Sequence, residues 1–285
     1  MFLTVLHPET RNIMPNALLD LAVAAKDFQA LRVIHNVCLG IEAGEIVSLV
    51  GPSGCGKSTL LRIVAGLDTD YRGEVRIKGE APRLHSREVG LIFQEPRLLP
   101  WLTVAENVAF ELGRKGRNHP RVIELLAEVG LADFATAYPK QLSGGMAQRA
   151  AIARGLFTQP SLLLLDEPFS AVDAFTRRRL QDLLLSVAGH HGTTLLLVTH
   201  DVNEAVYLSD RVIVLADRPG RISGQVIVDA RRPRDRRNPQ LARREAEVLT
   251  LLNDGTNRFF ELSYELASTP RSWQTPRLSG LTFAV

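Results

Sequence analysis

The segment GPSGCGKS at 51–58 constrains the fold more than any other stretch of the chain. It fits the pattern G-x-x-x-x-G-K-[ST], and its flanks agree with it. EIVSLV at 45–50 reads as a buried strand, and a helical pattern runs from Lys57 to about Ala65. Strand, glycine-rich loop and helix in that order make a phosphate cradle. The glycines let the backbone wrap tightly and turn its N–H groups inward, and the helix N-terminus adds to their field. In this reading Gly51, Pro52, Ser53, Gly54, Cys55 and Gly56 form the loop, and Lys57 reaches the terminal phosphates. The Ser58 hydroxyl ligates Mg²⁺, and Thr59 adds a phosphate contact. Cys55 reads either as a small filler or as a reactive thiol near a helix N-terminus.

A second acidic element follows at LLLLDEP, where an apolar strand over 162–166 ends in two carboxylates. Asp166 at the strand end can hold Mg²⁺ through water. Glu167 points elsewhere and can orient or deprotonate an attacking water. Downstream of a phosphate loop, that pair implies hydrolysis; a helix cap or surface pair is the plainer reading.

The rest of the chain fits an α/β core. VGLIF (89–93), LLLLD, TTLLLVTH (193–200) and RVIVL (211–215) read as strands, and TRRRLQDLLLSVAG and DVNEAVYLS read as helices between them. Such alternation predicts a parallel sheet flanked by helices. Between the first and second of these strands, TVAENVAFEL, RVIELLAEVG and GMAQRAAIARGLF have helical spacing, so a helical insert interrupts the core. Gly113, Gly116 and Pro120 separate the first two. LARREAEVLTLL, after Pro239, is also helical in pattern, while His190–His191 reads as loop. Residues 1–17 read as a loose extension with Met14 as an alternative start, and the Ser/Thr/Pro-rich stretch from about Ser268 as irregular.

Composition narrows the partners. No window approaches the roughly 18 apolar residues of a spanning helix, so a membrane role must come through another chain. MFLTVLH lacks the basic leader and cleavage site of a secretory signal. Two cysteines suit a reducing compartment. Much of the net charge of +3 lies in RRPRDRR at 231–237, which reads as a solvated connector or as a contact with lipid head groups or a partner. No aromatic residues interleave with these arginines, so nucleic acid is not expected.

LSGGMAQR at 142–149, opening a helix shortly before the acidic strand, resembles the signature of the ATP-binding-cassette family. The resemblance implies an α/β fold: a P-loop NTPase (RecA-like) core with an N-terminal antiparallel β subdomain and an inserted helical subdomain at about 98–157. It places one cassette over 18–237 and a C-terminal extension over 238–285. It implies ATP and Mg²⁺ as ligands, and a homodimer in a head-to-tail ATP sandwich. Leu142, Ser143, Gly144, Gly145 and Met146 would then face the partner's ATP; Met146 stands where Gln is commoner. By the same resemblance Gln94 is the Q-loop residue that touches Mg²⁺ or its water. Asp173 of SAVD lies at the dimer seam, and His200 is the switch histidine on the γ-phosphate. Phe28 stacks on adenine, or packs in the core.

QEPRLLPWLTVAENVAFEL at 94–112, with RPGRI at 218–222, resembles importers of the nitrate, taurine and aliphatic-sulfonate group. This implies that Leu98, Leu99, Pro100 and Trp101 border a groove for a permease helix, a role compatible with core packing of Trp101. It implies two integral-membrane permease subunits, a periplasmic solute-binding protein, and a peripheral position on the cytoplasmic face of the bacterial inner membrane. Aliphatic sulfonates are the favoured cargo; nitrate, taurine or a related small solute is the alternative. A soluble cassette ATPase not coupled to transport is the rival class, but its usual coiled-coil insert or second cassette is missing from the pattern.

Overall fold

Strands apolar at every position need cover on both faces, and the central sheet supplies it. The computed structural model describes residues 17–83 and 86–268, with Arg114 and residues 255–268 by backbone alone. Met14, the extension before residue 17 and the stretch beyond Ser268 lie outside the described residues. β1 (Leu19–Phe28), β2 (Leu31–Ile41) and β4 (Arg72–Ile77) form an antiparallel three-stranded sheet in the order β2-β1-β4. β3 (Ile46–Val50), β5 (Val89–Ile92), β6 (Leu162–Asp166), β7 (Thr194–Val198), β8 (Arg211–Leu215) and β9 (Ile222–Ile227) form a second sheet in the order β5-β6-β7-β3-β8-β9. Its first five strands run parallel, and β9 pairs antiparallel with β8.

Alternate residues of the central strands serve two cores. Leu163, Leu165, Leu195 and Leu197 join the cluster under the helices. Leu162, Leu164, Leu196 and Val198 face the cluster built with the three-stranded sheet and α1 (Lys57–Val64). β9 is not visible as a strand in the sequence: ISGQVI is a half-exposed edge with no apolar run.

Between β5 and β6 the chain forms α2 (Val104–Val108), α3 (Pro120–Glu128) and α4 (Gly144–Leu156). α2 is shorter than its periodicity predicts. A capping box between Thr103 and Glu106 starts it, but the path after Val108 tightens to a 3₁₀ form and breaks at Gly113, whose φ is 59°. α5 (Ala174–His191) is longer than expected, so His190 and His191 are helical and not loop; Gly192, left-handed at φ 60°, ends it. α6 (Val202–Leu208) and α7 (Pro239–Ser268) complete the fold, and α7 buries Leu241 and Val248 in the larger core.

The basic run 231–237 is a solvated connector only in part: Arg231 and Arg237 are exposed, while Arg234 and Arg236 fold inward. The Arg234 side chain is 1% exposed. It donates to five carbonyls, those of Val206, Tyr207, Ser209, Val228 and Ala230. Several of these are the orphan acceptors at the C-terminus of α6, which a guanidinium suits in number and charge. Burial lowers its pKa to about 10. Arg236 stacks on Tyr207, 3.5 Å from the ring centroid, and reaches Gln181 and Asp182. Alternation of Arg with Pro and Asp hid this from a charge count.

Candidate functional site

β3, β6 and β7 are neighbours and parallel, so the loops at their carboxyl ends meet in one place. The first carries residues 51–56, the second Asp166 and Glu167, and the third His200. The 51–56 loop turns through Gly54 and Gly56, with φ of 80° and 99°. Lys57 is buried, and its Nζ donates to the carbonyls of Gly51 and Pro52, each at 2.8 Å. Cys55 is fully buried and burial pushes its thiol upward, as a filler residue would have it.

A segment distant in sequence clasps the loop from outside. Arg218 Nε donates to the Gly54 carbonyl at 2.8 Å. A side chain at Gly220 would meet the Cys55 carbonyl at 1.9 Å, so RPGRI at 218–222 packs directly on the loop backbone. Sequence reasoning took this stretch only as a group resemblance.

Ser58 Oγ donates to Asp166 Oδ1 at 2.9 Å. Burial raises the Asp166 pKa and the Ser58 bond only partly offsets it, an arrangement suited to a cation. Hydroxyl and desolvated carboxylate together fit the hard oxygen donors that Mg²⁺ takes. Glu167 is neither an N-cap nor a loose surface acid. Its φ is 46°, a conformation costing a non-glycine residue about 1 kcal/mol or more. Three bonds hold it there: its N–H to Val198 O, and Ser170 N and Oγ to its own carbonyl. Its Oε2 lies 3.1 Å from His200 Nδ1, and the His200 side chain is 63% exposed.

The other expected residues are placed as follows. Gln94 is exposed two positions beyond β5, the strand beside β6. Arg154 of α4 holds the chain just after it, donating to the carbonyls of Pro96 and Arg97. Buried Asn107 bonds to Leu99 and to the carbonyls of Leu102 and Thr103, fixing 99–103 as an outward bend. Trp101 on that bend is 68% exposed, which rules out core packing; Pro100 is exposed and Leu98 packs on the core. Phe28 is likewise surface, 47% exposed, with Lys26 Nζ 4.7 Å from its ring.

Ser143 caps α4 by accepting from Met146 N at 3.3 Å. The site of a Gly144 side chain is open space, whereas one at Gly145 would strike Thr176 at 2.5 Å. Leu142 and Met146 pack on the core. Asp173 caps α5, accepting from Phe175 N and Thr176 N at 3.0 Å each, and the Thr176 bonds hold its carboxyl below the usual range. Exposed Phe175 flanks it.

His190 and His191 approach Glu128 of α3, His191 Nε2 lying 2.8 Å from its Oε2. Arg121 Nη2, which can only donate, faces His191 Nδ1 at 3.4 Å. That contact favours the tautomer with the proton on Nε2, from which the ring donates to Glu128.

Comparison with known proteins agrees with this geometry. The profile of the family described as ABC transporter matches residues 34–170. The aliphatic sulfonates import ATP-binding protein SsuB 1 of Pseudomonas syringae pv. syringae (strain B728a) is 60% identical over 241 residues, 84% of this chain and 98% of that protein.

The chain belongs to the ABC transporter family.

A second relative, the aliphatic sulfonates import ATP-binding protein SsuB 2 of Burkholderia cenocepacia (strain HI2424), is 56% identical over 88% of this ABC transporter chain and 92% of its own length. A solved structure of the ATP-binding cassette MJ0796, dimeric in a post-hydrolysis state with ADP and Pi, superposes with a TM-score of 0.63. It is 33% identical and covers 75% of this chain and 100% of that one. The P-loop NTPase core, the antiparallel sheet and the inserted helices are thus those of the ABC family.

Proposed function

We propose that this chain is the ATP-hydrolysing subunit of a membrane importer, with aliphatic sulfonates as its cargo. The observation that carries the reading is the convergence of Lys57, the Ser58–Asp166 pair and the Glu167–His200 pair at the ends of three adjacent strands. The cargo rests on the 60% identity to a sulfonate-import relative.

In this reading the 51–59 loop binds the phosphates, and Phe28 offers an open ring face to adenine. Lys57 exchanges its loop carbonyls for phosphate oxygens. Ser58, Asp166 and Gln94 would hold Mg²⁺, which would supply charge neutralisation for the phosphates. Glu167 takes the proton of the attacking water while His200 contacts the γ-phosphate. Exposed Ser143 and Gly144, with Gly145 beside them, would face the ATP of a second copy in a head-to-tail dimer, with Asp173 and Phe175 at the seam. The outward bend at Leu98–Trp101 faces one of two permease subunits. Those subunits receive cargo from a periplasmic binding protein, and the chain rests on the cytoplasmic face of the inner membrane. Residues 18–237 make up the cassette.

The test is reconstitution in lipid vesicles with a pair of sulfonate-importer permease subunits. ATP hydrolysis should rise when the loaded binding protein is added. Failure to hydrolyse ATP would end the enzymatic reading; hydrolysis without permease binding would leave the soluble class.

A further inference from the structure

Beneath His200 lies a carboxyl group that this hydrolytic scheme does not use. Glu204, in the first turn of α6, is buried. Its Oε2 accepts from Gln181 Nε2 of α5 at 3.0 Å, and Thr199, which lines the same cavity, favours its ionised form. The same Thr199 Oγ1 accepts the backbone N–H of Asp201 at 3.0 Å. Asp201 Oδ1 in turn accepts the Glu204 N–H at 3.1 Å, and its Oδ2 faces Arg177 Nη1 at 3.4 Å. His200 lies between Thr199 and Asp201, so these bonds enclose the turn that carries it. A polar cavity of about 40 Å³ joins Glu204 to Glu167, Thr199 and His200, with room for a water.

We propose that Glu204 is a positioning residue for hydrolysis: its carboxylate ties the 199–201 turn to α5 and so keeps His200 against Glu167. The inference rests on the ATP-hydrolysing reading above. The tie extends further, because Gln181 Oε1 accepts from Arg236 Nη1 at 2.8 Å. The inward-folded basic segment therefore braces the switch turn from behind.

The groups facing Glu204 are Arg177 on α5, Asp201 at the start of α6, and Glu167 and His200 across the cavity, with Arg236 behind Gln181. Burial outweighs the effects of Thr199 and Gln181 and raises its pKa to about 7. The ionised carboxylate suits both donors. A protonated one must place its own hydrogen where a donor already points. The tie is whole above about pH 7 and weakens below it.

The experiment is steady-state MgATP hydrolysis by the full chain between pH 6 and 8.5. Glu204→Ala should lower kcat about tenfold or more with KM changed less than about twofold, the pattern of a lost transition-state contact. Glu204→Gln puts an NH2 donor where the protonated acid puts its hydrogen; at pH 8 it should show the lowered kcat that wild type reaches below pH 7, with no further decline in acid. Thr199→Val, which deletes only the hydroxyl, should follow Glu204→Ala. Wild-type kcat in Glu204→Ala overturns the proposal. If that variant does not fold, wild-type kcat in Thr199→Val or an unchanged acid limb in Glu204→Gln overturns it. ATP binding by each variant separates this outcome from failure of the ATPase reading. Nucleotide affinity should survive at Glu204 and vanish in Lys57→Ala; affinity unchanged in Lys57→Ala would sink the underlying assignment.

Discussion

Ser58 and Asp166 are joined by one hydrogen bond of 2.9 Å across 108 residues of sequence. The bond ties the first turn of the helix after the phosphate loop to the end of the strand two places away in the sheet. It also keeps two oxygen donors side by side, as a shared metal ligand set would require.

Asp166→Asn should cut Mg²⁺-dependent hydrolysis by about 100-fold or more, since charge neutralisation is most of what a phosphoryl site supplies. Metal-free nucleotide binding should change little. Titration of activity against Mg²⁺ checks it, and an unaltered metal dependence would remove Asp166 from that shell.

Lys57→Ala should abolish ATP binding. The ammonium is already desolvated against the Gly51 and Pro52 carbonyls, so it is preorganised to meet a phosphate. Fluorescent-nucleotide titration reads the result.

Glu167→Gln should hold ATP without turning it over and accumulate as a dimer, measured by light scattering with and without ATP. Its backbone is held by the Val198 and Ser170 bonds, none of which uses the side chain, so the variant should fold as wild type does. Brisk turnover would take the general-base role away from it.

Arg234→Ala should destabilise the chain by about 3–5 kcal/mol, because five buried carbonyls lose their donor. Arg231→Ala, at an exposed position of the same run, should change the melting temperature hardly at all. Equal effects would mean that the run acts through charge alone.

Glu204 adds a pH term to stability. Its folded pKa of about 7 lies above its ordinary 4.5, so the folded state binds the proton more tightly. The contribution is complete below about pH 4.5 and is lost as pH rises through about 7. Replacing the acid with Gln should therefore raise the melting temperature at pH 8 and have less effect at pH 5. Thermal melts at the two values decide, and a larger gain at pH 5 would reverse the assignment.

Much of the site was legible because its chemistry is local. The 51–58 loop, Asp-Glu after LLLL, and a histidine after TTLLLVT each announce themselves through neighbours in the chain. The central strands were legible because burial on both faces leaves an apolar run. What escaped depends on partners far away in sequence. Arg234 looks like any surface arginine until α6 is placed beside it. Glu204 looks like a helix-surface acid until Gln181 and Thr199 close over it. The His190–His191 pair read as loop because histidine carries little helical signal, and only Glu128 and Arg121 give it a place. β9 was invisible because an edge strand, exposed on one side, need not alternate cleanly.

Gly220 carries the last consequence. With the Cys55 carbonyl only 1.9 Å from where its side chain would begin, it is part of the phosphate loop's surface although it lies more than 160 residues downstream. The loop's footprint is therefore discontinuous: eight contiguous residues and one remote glycine share a single packed surface. A substitution at 220 would look like a distant suppressor or a silent surface change on a linear map, yet it would displace the backbone that cradles the phosphates.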